Sequence, residues 1–264
     1  MRETRYAVPG CPLRIALLTD LHNRPFERII ASLRSRRPEI IAVAGDVLRS
    51  HAVEDERPAL EKNPNALPFF SACASIAPTF FSLGNHEWIL SDGDLERVAA
   101  TGAHVLDNTW TEYRGVQIGG LTSSRVVKYR RFLAADGAAS AQPHRDFHAV
   151  KSTVPAPDLG WLEEFCRQDG YRILLCHQPE YERRFLAPYP LDLVLSDHAH
   201  GGQIRLYSFR QRQWRGLYAP GQGFRPERTS GVHGRLVISR GLSNTVPIPR
   251  LNNPTEIVYI EPEE

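Results

Sequence analysis

Apolar positions along this chain gather into short unbroken runs, each closed by polar residues of a few types. The clearest are Ile15-Ala16-Leu17-Leu18-Thr19, Ile40-Ile41-Ala42-Val43-Ala44, Thr79-Phe80-Phe81-Ser82-Leu83, Ile173-Leu174-Leu175-Cys176 and Leu193-Val194-Leu195-Ser196. Runs this short, without polar alternation, predict strands covered on both faces. Between the first two, Phe26, Ile29, Ile30 and Leu33 recur at helical spacing, with Arg28, Arg34 and Arg36 opposite and Pro38 as the stop. Further helices are expected near Phe69 to Ala77 and from Asp94 to Thr101, the latter capped by Ser91 or Asp92. Val116 to Leu121 predicts another strand, and Asp158 caps a helix presenting Leu159, Leu162 and Phe165. Residues 236–239 and 257–260 are the clearest strands of the tail. Residues 123–157 are rich in Ala, Arg, His and Pro with little periodicity, which predicts a long irregular excursion. With no internal repeat and no convincing linker, residues 1–264 are expected to form a single layered α/β domain.

Composition narrows the class. A chain of 264 residues with 42% hydrophobic content can bury a sizeable core. Its net charge of +2, from 32 basic and 30 acidic residues, does not imply a nucleic-acid partner. The four cysteines, Cys11, Cys73, Cys166 and Cys176, are widely spaced and form no CxxC pair, as expected of reduced thiols in the cytoplasm. No secretory pattern precedes Leu13, and no apolar run approaches the roughly 20 residues that span a bilayer. A cytoplasmic location is therefore expected, membrane-peripheral if the substrate is a lipid.

The candidate chemistry sits at the ends of the predicted strands. Five segments follow them directly: Asp20-Leu21-His22, Gly45-Asp46, Gly84-Asn85-His86-Glu87, Cys176-His177 and Asp197-His198-Ala199-His200. Asp20 and His22, two residues apart on extended backbone, point to one side and can grip one cation together. Asp46, at a strand end, can bridge two cations with its two oxygens. Asn85 adds a carbonyl oxygen, and His177, His198 and His200 add imidazole nitrogens. A mixed nitrogen and oxygen set without thiolate suits manganese, iron or zinc, with magnesium also admissible. Two such ions about 4 Å apart clamp a phosphate and lower the pKa of a bridging water. Any one of these short segments is common loop chemistry; their joint occurrence at strand ends is not.

The five segments, in this order over roughly residues 13 to 204, resemble the calcineurin-like metallophosphoesterase signature D-x-H, G-D, G-N-H-[DE], H and G-H-x-H. The run Asp197 to Ile204 further resembles a bacterial phosphodiesterase-like subgroup whose last motif reads G-H-T-H-G-G-Q. The tail resembles that subgroup's ending in Ser239-Arg240-Gly241-Leu242-Ser243-Asn244, Pro249-Arg250 and Asn253-Pro254-Thr255-Glu256-Ile257. The resemblance implies a two-sheet sandwich flanked by helices, with two metal ions at one edge. Asp20, His22 and His200 would hold one ion, Asn85, His177 and His198 the other, and Asp46 would bridge them. His86 would be the general acid, and a metal-bridging hydroxide the attacker. A phosphodiester or pyrophosphate, lipid-linked or nucleotide, is the implied substrate. The alternatives are a monoesterase acting on phosphoprotein and a catalytically silent scaffold; the scaffold fits poorly with retention of every ligand type and of His86.

Asp197 departs from the signature, where glycine is usual. It is expected to be a tolerated turn residue, the alternative being a charge that tightens metal binding, orients a histidine or weakens attraction for an anion. Substrate contacts are not assigned. Arg24, Arg125, Lys128, Arg130 and Arg131 could meet phosphate oxygens, and Trp88, Tyr129 and Trp214 could cover a base or a lipid chain, but a solvated loop and a packed core are the commoner roles of these residue types.

Overall fold

The computed structural model describes residues 1–49, 57–137, 140, 142–149, 156–209, 213–216, 230–245 and 248–263. Along the chain run β1 (Arg2–Val8), β2 (Ile15–Leu18), α1 (Glu27–Arg36), β3 (Ile40–Ala44), α2 (Ala59–Lys62), α3 (Ala66–Ala74), β4 (Thr79–Ser82), α4 (Asp92–Ala99), β5 (Ala103–Leu106), β6 (Thr109–Tyr113) and β7 (Val116–Leu121). Then follow α5 (Ser124–Phe132), α6 (Pro143–Ala149), α7 (Leu162–Arg167), β8 (Tyr171–Cys176), β9 (Leu193–Ser196), β10 (Arg205–Ser208), β11 (Gln213–Gly216), β12 (Gly231–His233), β13 (Leu236–Ile238) and β14 (Glu256–Pro262).

Twelve of the strands form two six-stranded sheets, ordered β1-β14-β2-β3-β4-β5 and β12-β13-β9-β8-β7-β6; β10 and β11 form a separate hairpin. Strands β2 to β5 run parallel, as do β7, β8, β9 and β13. Alternation along the buried strands assigns each side chain to a layer. Ile15, Leu17, Ile40, Ala42 and Phe80 face Ile118, Ile173, Leu175 and Leu195 of the other sheet. Their neighbours Ala16, Leu18, Ile41, Val43 and Phe81 pack outward on Leu33 of α1 and on Phe69, Phe70 and Cys73 of α3. On the far side Leu174, Cys176, Val194 and Leu236 meet Leu162 and Phe165 of α7. The result is an α/β sandwich of four layers, helices outside and sheets inside. Strands sandwiched between two apolar layers have no polar face, which is why their sequences do not alternate.

Local signals set several boundaries. Arg37 closes α1 in a left-handed conformation, φ 49°, directly before Pro38. α4 starts at Asp92, two residues before the expected Asp94, and Ser91 caps it in a capping box in which its hydroxyl accepts from Asp94 N–H and the Asp94 carboxylate accepts from Ser91 N–H. The expected irregular excursion is corrected in its described part. Residues 124–132 are the helix α5, continued by one wider turn at 133–137, and 143–149 form α6. Val126, Tyr129 and Phe147 are buried there, with Trp88 stacked 5.1 Å from Phe147 and set edge-on 4.7 Å from Tyr129. Residues 138, 139, 141 and 150–155 of that stretch lie outside the described residues.

Phe80 is 1% exposed between the sheets, its ring 5.0 Å from that of His104 and 6.1 Å from Tyr113. Phe80→Ala should destabilise the fold by about 3–5 kcal/mol, the usual range for emptying an aromatic core site. Urea denaturation measures this; a loss below about 1 kcal/mol would show that the inter-sheet layer collapses to fill the gap.

Candidate metal centre

The parallel strands deliver the polar segments to one edge. Asp20 follows β2, Asp46 follows β3, Asn85 follows β4, His177 follows β8, and His198 lies two residues beyond β9. Backbone bonds lash the first two segments together: Asp20 N–H to Gly45 O at 3.1 Å, His22 N–H to Asp46 O at 3.1 Å and Asn23 N–H to Val47 O at 2.8 Å. Asp20, His22, Asp46, His198 and His200 all have positive φ, between 47° and 64°, so Asp20 and His22 converge through left-handed turns and not on the extended backbone expected. Left-handed backbone is uncommon for side chains other than glycine and clusters at functional sites.

Close approach demands glycine at two positions. A Cβ on Gly84 would fall 2.3 Å from Asp46 Oδ1, and one on Gly45 would fall 2.6 Å from the Gly84 Cα. The loops after β3 and β4 are therefore in backbone contact, and His86 N–H donates to Asp46 Oδ1 at 2.8 Å.

The side chains converge in overlapping triads. Ligand atoms of Asp20, His22 and His200 lie within 4.8 Å of one another, as do those of Asp46, His177 and His198 and those of His22, Asp46 and His86. His22 Nε2 is 3.1 Å from Asp20 Oδ1, and His200 Nε2 is 3.3 Å from the same oxygen. His177 Nε2 is 3.1 Å from Asp46 Oδ2. Asn85 reaches the second triad's side of the cleft, which it lines together with His198. All seven expected ligands and His86 thus meet at one place.

The donor set suits cations. His22 Nδ1–H donates to Leu48 O at 3.1 Å and His177 Nδ1–H to Ala44 O at 2.9 Å, which makes Nε2 the inward-facing nitrogen of each ring. Among the fully buried groups, His177 Nε2 meets Asp46 Oδ2 at 3.1 Å and the Asp20 carboxyl meets that of Asp197. Burial holds His22 down at about 4 and His198 at about 3, so both rings are neutral, as ligation requires. His177 is the exception: burial opposes its charge, but attraction to Asp46 outweighs it and lifts the ring to about 10. The same pairing, overcoming burial, keeps Asp46 well below the usual carboxylate range, while burial lifts Asp20 to about 6. His200 differs in its support, since Arg250 Nη2 donates to its Nδ1 at 3.1 Å.

Several supporting residues were not assigned roles from sequence. Glu87 is fully buried and accepts from Asp46 N–H and Gly84 N–H, both at 2.8 Å, and from Leu48 N–H at 3.1 Å. Its place in Gly84-Asn85-His86-Glu87 was the available signal. Asn253 donates to His200 O at 2.7 Å. Asp197 is buried at its turn: it accepts from Thr19 Oγ1 at 2.7 Å and from His200 N–H at 3.1 Å, which ties the His198 to His200 turn to the end of β2. The expected candidates for substrate contact divide. Arg130 pairs with Asp107 at 2.6 Å, Lys128 lies over Phe147, and Arg24 donates to Asn244 O, whereas Arg125 lines the cleft beside Asn85 and His198. Trp88 and Tyr129 are core, and the Trp214 side chain lies outside the described residues.

Residues 13–202 match the calcineurin-like phosphoesterase family. This chain belongs to that family. It is 26% identical over 216 residues to a bovine (Bos taurus) transmembrane protein with metallophosphoesterase domain, covering 73% of this chain and 41% of that protein. It is 26% identical over 261 residues to the uncharacterized metallophosphoesterase Cj0846 of Campylobacter jejuni, covering 94% of this chain and 58% of the relative. A Helicobacter pylori strain J99 metallophosphoesterase is 28% identical over 258 residues, covering 94% and 59%. The chain therefore spans about half the length of these relatives. Among solved structures, a dimetal phosphatase from Danio rerio aligns at 14% identity and a TM-score of 0.43, covering 74% of this chain and 84% of that one. Among the described residues, no helix is long and apolar enough to cross a membrane.

The Glu87 contacts make its removal informative. Glu87→Ala leaves three buried N–H groups around Asp46 without their acceptor and should weaken Mn²⁺ binding by about 10–100-fold, with a smaller loss in Glu87→Gln. Calorimetric titration of metal-stripped protein reads this directly; equal Mn²⁺ affinity in Glu87→Ala and the parent would show that Asp46 is held without Glu87.

Proposed function

We propose that this chain is a dinuclear-metal-dependent phosphoesterase that hydrolyses a phosphodiester or pyrophosphate bond. The observation that carries this reading is the pair of buried triads, Asp20-His22-His200 and Asp46-His177-His198, in each of which the ligand atoms lie within 4.8 Å of one another. Asp20, His22 and His200 would hold one ion, Asn85, His177 and His198 the other, with Asp46 between them. Manganese, iron or zinc fits these donors. When bound, such ions supply Lewis acidity toward phosphate oxygens and a water acidic enough to ionise near neutral pH.

His86 is suited to deliver the proton to the departing oxygen. Its side chain is 23% exposed, against 1% for His22 and 0% for His177, so of these three it is the one open to solvent. Its backbone N–H is fixed by Asp46, so the ring has a defined place beside the bridging carboxylate. Burial holds the ring down to about 3, against the attraction of Asp46. A phosphate beside it adds negative charge and works in the opposite direction, favouring the protonated ring.

Metal-stripped protein should not cleave bis(p-nitrophenyl) phosphate, and added Mn²⁺ should restore cleavage. Restored metal content without cleavage of this or any other phosphoester would count against the hydrolase reading. His86→Ala should keep its Mn²⁺ yet lose about 10²–10⁴ of turnover, the range for a missing general acid; an unchanged rate in that variant removes His86 from the role.

A further inference from the structure

A cavity of about 460 Å³ opens beside the second triad, and its lining is more specific than a phosphate alone requires. Asn85 and His198 form its inner end. Ser123 and Ser124 contribute at the start of α5, Gln178 follows the ligand His177, and Arg125 and Arg184 supply positive charge.

Two of these residues carry the argument. Gln178 is 5% exposed; its Nε2 donates to Ser123 Oγ at 2.7 Å and reaches toward Asn85 Oδ1 at 3.5 Å. Those contacts use the amide as donor and leave Gln178 Oε1 buried with no hydrogen-bond partner among the described residues. A buried acceptor in that state is costly, and a ligand hydroxyl or N–H would satisfy it. Arg125 lies in the first turn of α5 with its guanidinium 5.0 Å from the centre of the Trp88 ring. Trp88 is itself 4% exposed and packed against Tyr129 and Phe147, so the plane beneath the guanidinium is fixed. A guanidinium held over a rigid ring has restricted freedom and keeps its charge beside the cavity, where an oxyanion can pair with it. Glu180 also lines the cavity, along with Tyr181 and Phe185.

We infer that this cavity is a subsite for a second anionic group carried by the substrate beyond the scissile phosphate, and that Arg125 reads that group while Gln178 Oε1 accepts from a neighbouring hydroxyl. The inference rests on the phosphoesterase reading for the position of the scissile phosphate. It deepens that reading by naming what the substrate carries on the Asn85 and His198 side. Arg125 is then a specificity residue, and a simple diester lacking a second charge uses only part of the site.

Calorimetric titration of AMP and ADP into the Mn²⁺-loaded chain tests this, because the two ligands differ by one phosphoryl group. ADP should bind the parent about tenfold or more tightly than AMP, the effect of one added charged hydrogen-bond pair. Arg125→Gln should bring that ratio close to one, and Arg125→Lys, which keeps the charge but not the fork, should fall between. Equal affinities for AMP and ADP in the parent overturn the subsite. So does an unchanged ratio in Arg125→Gln, or a parallel fall in both affinities, which would place Arg125 on the scissile phosphate. If the parent prefers ADP and Arg125→Gln does not, yet bis(p-nitrophenyl) phosphate is never cleaved, the subsite stands and the catalytic reading fails.

Discussion

Asp46 carries a carboxylate into the interior at 1% exposure, and the geometry around it follows from keeping that charge there. Burying an ionised group without compensation is prohibitive, so each of its oxygens must be met. Oδ1 accepts from His86 N–H, and Oδ2 faces His177 Nε2. The contact with His86 requires the loop after β4 to lie against the loop after β3. That approach in turn excludes any Cβ from Gly84 and Gly45. Glu87 then fastens both loops from beneath by accepting from Asp46, Leu48 and Gly84. His177, brought from the other sheet, holds its orientation through Ala44 O, the last residue of β3. One buried carboxylate thus couples β3, β4 and β8, and through β8 the two sheets of the sandwich.

The parallel strands make this economical. Adjacent parallel strands end side by side, so the residues that follow them are neighbours in space however far apart they lie in sequence. Asp20, Asp46 and Asn85 come from three consecutive strands of one sheet; His177 and His198 come from adjacent strands of the other. Cations placed among them would replace protons, not create a new arrangement. The histidines are prepared for that exchange: burial keeps His22 and His198 neutral, and the proton on His177 is held chiefly by Asp46.

Much of this was legible because burial on both faces leaves unbroken apolar runs, and five polar segments stood out at their ends. β2, β3, β4, β7, β8 and β9 are all of that kind, with every residue of β2, β3, β4 and β9 buried. β1 and β6 were not legible. Each is an outermost strand of its sheet with mostly exposed or half-buried residues, and what makes it a strand is pairing with β14 or β7. α5 was hidden for another reason. Its apolar contacts are few, Val126 and Tyr129 chiefly, and Arg125, Lys128, Arg130 and Arg131 interrupt them, so its helical spacing is visible only once Trp88 and Phe147 supply the opposing surface. At the site, ligand types are local information, but their supports are not. Thr19 meets Asp197 across 178 residues, and Asn253 meets His200 across 53.

Asp197 shows how far such long-range support extends. A carboxylate in place of glycine, buried beside Asp20, sets two like charges together, and burial followed by Asp20 pushes the Asp197 carboxyl well above its usual range. The surroundings offset this with the Thr19 hydroxyl, the His200 N–H and the positive field of Arg250. They also make room: a Cβ on Gly241 would fall 2.6 Å from Asp197 Oδ2 and 2.9 Å from Asp20 Cβ. Gly241 lies in the tail, and its neighbour Arg240 is fixed by a buried ion pair with Glu256, whose own N–H donates to Gly241 O at 3.0 Å. Arg250 donates to the carbonyls of Arg240 and Ser243 as well as to His200. The tail therefore supports the candidate metal centre, and the acidic residue at position 197 is tolerated because Gly241 leaves it room and Arg250 supplies the charge to receive it.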